Sequence, residues 1–523
     1  MNDCLLAGGM LYDGSGSAPY AADLLIRDGK IVQIGPAGKT VFPCTPRRNL
    51  SGLSVSPGWI DVHAHSDASL LAAPEAFGKI SQGITTEVSG NCGLSAFPVM
   101  TGEVREHLAT VYAAYDVRPD WTDFNSYAAA LEKRHPAVNT LFLCGHNTLR
   151  ANITGYARHD PAPGELAAMR ELLAEQLRQG AAGMSTGLLY TPGRFAGESE
   201  LLELLRTVAD AGGVYTTHLR SEGDRLEEAV GEALRLAEGS GAPLLISHLK
   251  TALPRNWHKL DHVLGQIETA RERGLTVHAD RYPYTYSQTS LSIVLDAPFD
   301  AMTDRAIRDA LQNDPSVFAQ ARQQLVGSGR DWNKVILSKT DAPGMAELTG
   351  LTVREAADRR QTSPAELVME ILRADAPGSL AAFGGMSEEN LGRILAREWV
   401  CCGTDETARP EDGSLGRSHP RGFGSFPRFI LQLKHQGIPM GEIIRRITSL
   451  PAAVFGLHGR GMIRPGMAAD LVIFAEDELG SEADFRHPHC RASGIRQVIV
   501  NGTEAYDGES GKVTARPGTI LRK

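Results

Sequence analysis

No apolar run in this chain approaches the ~18 residues that a membrane-crossing helix requires, so a membrane span has no candidate. Basic charge is not in surplus either: 53 Lys and Arg stand against 62 Asp and Glu, a formal net charge of −9 with no long single-sign run. Nucleic acid and anionic membrane surfaces both demand a basic face, so neither is expected as a partner. The opening Met1-Asn2-Asp3-Cys4 carries an early acid and lacks the basic, apolar and small-residue order of a secretory signal. The expected compartment is the cytoplasm. Cysteine is sparse, and seven is an odd count, which excludes a fully paired disulfide framework. Most of the thiols, Cys401 and Cys402 included, are expected as small buried apolar residues. Cys92 stands apart because of its neighbours.

What is present describes a globular protein, with 42% hydrophobic and 22% charged residues. A length of 523 residues exceeds what one core usually spans, so a large domain with an accessory one is expected. The middle of the chain repeats one unit: an amphipathic stretch, a glycine, then a short apolar run ending in polar residues. Residues 165–179 stop at Gly180 before a strand over 181–186, and 200–211 stop at Gly212-Gly213 before 214–218. Residues 225–238 lead through Gly239-Ser240-Gly241 into 244–248, and 260–273 through Gly274 into 275–280. Glycine just past a helix is the expected left-handed cap. Helix and strand alternating every 30–40 residues or so is the sequence form of a parallel α/β barrel.

The cadence extends to strands over 59–63, 84–88, 140–144 and 399–405. Eight strands suffice to close a barrel, so the expected fold class is α/β, a (β/α)8 TIM barrel. The 125 residues from Asp280 to Asp405 exceed one helix and its loops. An insertion over about 286–396 is expected there, on the face where barrel active sites open: either a lid over the site or an elaboration of the outer wall. The ends differ in character, with short β-like runs such as 24–32, whose Asp28-Gly29 is a hairpin signal. Runs 469–474 and 498–502 look like partners. The domain reading is therefore a small β-sandwich from 1–56 and 460–523, with a barrel over 57–459.

Metal-capable side chains fall at the strand ends. His63 and His65 alternate on the first strand, Cys92 sits in Ser89-Gly90-Asn91-Cys92-Gly93 after the second, and His218, His248 and Asp405 end the fifth, sixth and eighth. One histidine at a strand end is ordinarily structural; four with a cysteine and an acid are hard to explain as packing. Imidazole and thiolate suit zinc, and zinc sites that do chemistry leave a position open for water. Zinc lowers the pKa of such a water towards ~7, yet a base must take the proton and return it to the leaving group. Asp405 is the candidate; its competing reading is an acid that merely orients a histidine.

Asp61-Val62-His63-Ala64-His65, the strand-end His218, His248 and Asp405, the Pro57-Gly58 lead-in, and residues 464–472 resemble the amidohydrolase superfamily. The closer resemblance, over nearly the whole chain, is to the D-aminoacylases, or N-acyl-D-amino-acid deacylases. Two-metal amidohydrolases commonly bridge their metals through a carboxylated lysine on the fourth strand. Here that strand reads Gly183-Met184-Ser185-Thr186-Gly187, without lysine, and the D-aminoacylase cysteine motif is present at 90–93.

The resemblance implies a tightly bound zinc on Cys92, His218 and His248, and a second, weaker site on His63 and His65 that shares Cys92. It places Asp405 as the catalytic acid, although Gly403-Thr404-Asp405-Glu406 departs from the commoner Ser-Asp-Gly. It also implies that Lys250, Tyr282 and Arg421 grip the substrate α-carboxylate, which suits the planar fork of arginine and the added donors; their plainer reading is surface basic residues and a packed tyrosine. His146 receives no firm role. Gln288, Thr289, Ser290 and Leu291 are expected to line the side-chain pocket, where the absence of a cation favours neutral or hydrophobic D-amino acids. The implied activity is hydrolysis of N-acyl-D-amino acids. A D-residue dipeptidase-like enzyme, a cyclic-amide hydrolase of the hydantoinase or dihydroorotase kind, and a non-catalytic scaffold are the alternatives.

Overall fold

The computed structural model describes residues 3–39 and 45–523; Met1 and Asn2 of the N-terminal reading, and Cys44 among the cysteines, lie outside them. Parallel strands follow one another in chain order: β1 (Trp59–Asp61), β2 (Ile84–Ser89), β3 (Asn139–Phe142, continued by Cys144–Gly145), β4 (Gly183–Gly187), β5 (Val214–His218), β6 (Leu244–Ile246), β7 (Val277–Arg281) and β8 (Val400–Cys402). Each pairs with the next in parallel register. The last returns to the first beyond the strand ends: Ala64 bridges Glu406 in parallel, and the Asp405 amide donates to the His63 carbonyl at 2.8 Å.

Helices fill the intervals because their sequences carry an apolar stripe. Glu198–Asp210 buries Leu201, Leu204, Leu205 and Val208, a spacing that keeps them on one face. The strands are buried on both sides. One set of their side chains (Val88, Leu141, Val214, Leu245 and Cys401), with Val62 just past β1, packs with Leu450, Val454 and Phe455 in a separate apolar cluster. Cys92, Cys144, Cys401 and Cys402 are buried free thiols, whereas Cys4 and Cys490 are half-buried.

The strands stop earlier than their apolar runs suggest. β1 ends at Asp61, before His63 and His65; β6 ends before His248, and β8 before Asp405. Backbone geometry is the reason at two of these ends: φ is +38° at His248 and +51° at Asp405, values a strand cannot accommodate. Cys92, at +53°, shares this left-handed conformation. Such strain in residues other than glycine concentrates where side chains must be aimed.

The seam between β1 and β8 holds a fully buried ammonium. Lys79 Nζ donates to Asp61 Oδ2 at 2.8 Å, Thr404 Oγ1 at 2.7 Å and the Glu406 carbonyl at 2.8 Å, with Glu87 Oε2 at 3.4 Å. Asp61 Oδ1 accepts the amides of both His63 (3.1 Å) and Thr404 (2.9 Å). This network fixes the two chain segments that carry His63 and Asp405.

The long interval after β7 is not a loop. Tyr286–Ser290, Val335–Lys339 and Leu380–Gly384 form an antiparallel sheet with the last strand central. Helices Asp304–Asn313, Pro315–Gly327, Val353–Arg359 and Pro364–Asp375 accompany it around its own core of residues such as Phe299, Leu337, Val368 and Leu372. Near the chain termini, nine strands form one hydrogen-bonded sheet. Ser54–Pro57 joins its two halves, pairing in parallel with Met10-Leu11 and antiparallel with Leu471–Phe474. Asp28 and Gly29 both take positive φ in the tight turn between Tyr20–Arg27 and Lys30–Pro36, as a two-residue hairpin of this hand requires. Among the described residues, no helix is long and apolar enough to cross a membrane.

Candidate metal and catalytic site

Cys92 is the hub of the site. Its Sγ lies 3.3 Å from His63 Nε2 and 3.5 Å from His248 Nε2. The donor atoms of Cys92, His218 and His248 lie within 4.8 Å of one another, as do those of His63, His65, Cys92 and Asp405. The local sequence explains the placement. A Cβ on Gly90 would strike the Leu143 carbonyl, and one on Gly93 the Asn147 side chain, while both glycines need positive φ. Asn91 Nδ2 donates to the Val88 carbonyl at 2.9 Å, and Asn91 Oδ1 accepts from Thr216 at 3.2 Å. The turn is thereby tied to β2 and β5 with the thiol aimed into the mouth.

His63 and His248 are oriented through the nitrogen turned away from Cys92. His63 Nδ1 meets Asp280 Oδ2 at 3.0 Å, leaving Nε2 towards Cys92 and, at 3.4 Å, Asp405 Oδ1. Asp280 Oδ1 also accepts the His248 amide at 3.0 Å. His248 Nδ1 lies 2.9 Å from Glu222 Oε1 and 2.8 Å from Lys250 Nζ, and Lys250 donates to the same Glu222 oxygen. His65 Nε2 is 3.1 Å from Asp405 Oδ1. His218 is buried with neither ring nitrogen hydrogen-bonded, its ring edge-on to those of Tyr190 and His248. A buried imidazole with neither nitrogen hydrogen-bonded is costly; with Nε2 3.9 Å from the Glu222 carboxylate and beside Cys92, it suits a metal donor.

The charges agree with this reading. Burial works to raise the Cys92 thiol, yet His63 and His248 beside it hold it well below the ordinary value. Burial opposes ionisation of Asp405 too, and Arg421, His63 and His248 outweigh it, keeping the carboxyl well below the usual range. Soft thiolate with imidazoles and a nearby carboxylate is a donor chemistry suited to zinc.

Arg421 opens the helix Arg421–His435 and donates through Nη1 to Asp405 Oδ2 at 2.6 Å. Its guanidinium lies 4.7 Å from the centre of the Tyr282 ring, and that of Arg281 lies 4.1 Å from it. The Tyr282 hydroxyl is buried without a hydrogen-bond partner. Burial would raise this phenol, but Lys250, Arg281 and Arg421 outweigh it and lower it. Lys250, Tyr282 and Arg421 are thus all buried near one another, not surface residues.

Other expected positions fall differently. Thr289 Oγ1 meets Tyr190 Oη at 3.3 Å and so reaches the ring beside His218. Ser290 donates instead to Asp304, and Leu291 is fully buried in the insertion's own core, so neither lines the site as expected. The 3-10 turn Leu291–Val294 draws its side chain inward. His146 pairs with Glu200 at 2.9 Å beside Arg150, in the helical layer. Glu222, Asp280 and Tyr190 carry no assignment in the sequence reading. Asp280, two residues beyond His278 on β7, left an alternation signal; Glu222 sits in the charged loop 220–225 and left none.

Comparison with known proteins agrees over the whole length. Residues 48–506 match the model of the amidohydrolase family. The chain is 34% identical over 522 residues to D-aminoacylase of Alcaligenes xylosoxydans xylosoxydans, covering 98% of both chains. It is 32% identical over 523 residues to N-acyl-D-glutamate deacylase of the same organism, covering all of this chain and 96% of the relative. The crystal structure of N-acyl-D-glutamate deacylase from Bordetella bronchiseptica, complexed with zinc and a phosphonate mimic of the tetrahedral intermediate, superposes with a TM-score of 0.83 at 31% identity over the full length of both chains. The chain therefore belongs to the amidohydrolase family, within the D-aminoacylase branch.

Proposed function

We propose that this protein is a zinc-dependent N-acyl-D-amino-acid deacylase, releasing a carboxylate and a free D-amino acid. The observation that carries the reading is Cys92, which belongs to both donor groups and stands where no lysine on β4 is available to bridge metals. Cys92, His218 and His248 hold the tight zinc, and His63 and His65 with Cys92 form the weaker position. When bound, zinc polarises the acyl carbonyl and favours ionisation of the attacking water. Asp405 takes the water proton on Oδ1 and passes it to the departing amine, while Arg421 holds its other oxygen. Lys250, Tyr282 and Arg421 receive the α-carboxylate.

The fold reading that goes with it is a (β/α)8 barrel over 57–459, closed at its mouth by the Ala64–Glu406 bridge. Residues 1–56 and 460–523 form a β-sandwich, and about 286–396 act as a lid. Three contacts support a lid seated over the mouth: Thr289 on Tyr190, the Arg194–Asp300 ion pair at 2.8 Å, and Trp257 Nε1 donating to the Gly385 carbonyl at 2.9 Å. Thr289, which meets Tyr190, and its neighbour Gln288 carry no charge, which favours neutral or hydrophobic D side chains. The substrate is a small molecule met in the cytoplasm.

Amine release from N-acetyl-D-methionine, N-acetyl-L-methionine and N-acetyl-D-glutamate by zinc-loaded enzyme tests this. Turnover of N-acetyl-D-methionine above the other two, abolished in Asp405→Ala, is expected. Turnover of none of them would remove the N-acetyl substrate assignment; preference for N-acetyl-D-glutamate would overturn the side-chain reading alone.

A further inference from the structure

Glu222 occupies a position that neither metal binding nor the grip on substrate accounts for by itself. It lies on the loop after β5, its carboxylate largely buried, and one oxygen faces two close donors, with His218 Nε2 farther off at 3.9 Å. His248 Nδ1 lies 2.9 Å from Oε1, and Lys250 Nζ donates to the same atom. Lys250 Nζ is also 2.8 Å from His248 Nδ1. The loop is held against that of Lys250, since the Ala252 amide donates to the Glu222 carbonyl at 2.8 Å. Asn390, on the helix that returns from the insertion, donates to Thr251 at 3.0 Å and steadies the same segment.

The proton on His248 decides what the ring can do. Its Nε2 faces Cys92 and must carry a free lone pair to take a cation, so the proton must sit on Nδ1. An ammonium 2.8 Å away favours the opposite tautomer, in which Nδ1 accepts from lysine and Nε2 bears the proton. The Glu222 carboxylate reverses that preference by accepting from both Nδ1–H and Lys250. We infer that Glu222 is a positioning residue that fixes His248 in its metal-binding tautomer and takes a Lys250 proton that would otherwise be offered to the ring, joining the zinc donor to the group that meets the substrate carboxylate. Carboxylates behind metal-bound histidines change affinity about 10–100-fold when removed; here the neighbouring lysine sets the direction as well.

The inference rests on His248 being a zinc donor, and the test separates the two claims. Zinc is withdrawn from purified full-length protein by competition with a chelator, and its affinity is measured for wild type, His248→Ala, Glu222→Ala, Lys250→Met and Glu222→Ala/Lys250→Met. Glu222→Ala is expected to weaken zinc about 10–100-fold, Lys250→Met to leave it within about threefold of wild type, and the double variant to recover most of the loss, because the competing ammonium is gone. KM rises in both variants that lack Lys250, including the one with restored zinc. Wild-type zinc affinity in Glu222→Ala, beside a loss in His248→Ala, would overturn the positioning role. So would a double variant as weak as Glu222→Ala, which would mark Glu222 as packing alone. Unchanged affinity in His248→Ala would overturn the ligand assignment itself.

Discussion

Arg421 and Asp405 share a hydrogen bond of 2.6 Å, guanidinium Nη1 to carboxylate Oδ2, with both side chains almost wholly buried. The opposite oxygen of Asp405 faces His65 at 3.1 Å and His63 at 3.4 Å. Asp405 thus faces His63 and His65 with one oxygen and is anchored by the other, the geometry that the proposed proton acceptor requires. Asp405→Asn preserves size and removes the basic oxygen, so kcat should fall about 10²–10⁴-fold, the range of general acid–base catalysis. Zinc content, measured by elemental analysis, should stay near that of wild type. Equal losses of metal and of turnover would instead make Asp405 a ligand first.

The proposed mechanism gives Arg421 two tasks, anchoring Asp405 and gripping the substrate carboxylate, and Lys250 the second alone; kinetics can separate them. Arg421→Lys keeps a charge but loses the planar fork and the face contact with Tyr282 at 4.7 Å. KM should rise and kcat should fall by about tenfold or more, because Asp405 loses its anchor. Lys250→Met should act chiefly on KM. Steady-state rates with N-acetyl-D-methionine decide this, and a pure KM effect in Arg421→Lys would reduce Arg421 to a carboxylate grip.

Much of this arrangement was legible before any coordinates. The glycine-stopped helices and apolar runs fixed eight strand positions to within a few residues, because buried parallel strands read as short β-branched runs between amphipathic stretches. Cys92 was legible from its glycines, whose collisions with Leu143 and Asn147 show why nothing larger fits. The strand ends were not, since the left-handed backbone of His248 and Asp405 leaves no compositional trace. Glu222 and Lys79 were hidden for another reason. Each is a charged residue whose partners lie on other segments, so only the closed chain reveals that Lys79 is buried against Asp61 and Glu87.

Removing the metal should loosen the protein. His218 is buried with both ring nitrogens without hydrogen bonds, and Cys92 is held beside two imidazoles. A ligand bound only by the folded state stabilises it by about 4 kcal/mol at a thousandfold excess over Kd. Chelator-treated enzyme should therefore melt several degrees below the zinc-loaded form, and added zinc should restore it. Cys92→Ser should melt low and respond weakly to zinc. A melting temperature indifferent to zinc in the wild type would show that the cluster does not hold metal in solution.

The buried seam between β1 and β8 gives a pH-dependent prediction away from the metal donors. Burial pushes the Glu87 carboxyl from 4.5 to about 7, against the pull of Lys79 and with a smaller push from Asp61. The folded state therefore holds this proton more tightly than the unfolded chain. Below pH 4.5 both states are protonated and the group contributes no difference; between 4.5 and about 7 the unfolded state ionises first, so stability falls as pH rises. Above about 7 the full penalty applies, about 3 kcal/mol for a shift of this size. Glu87→Gln mimics the protonated form, and its amide oxygen can still accept from Ser66, the donor seen at 3.0 Å. Thermal unfolding of zinc-loaded wild type and variant should give similar melting temperatures at pH 5, with the variant ahead at pH 8. Lys79→Met should do the reverse of rescue, leaving Asp61 buried without its cation and costing about 3–5 kcal/mol at either pH. A gap between Glu87→Gln and wild type that is the same at pH 5 and pH 8 would mean that Glu87 stays ionised throughout, with Lys79 outweighing burial.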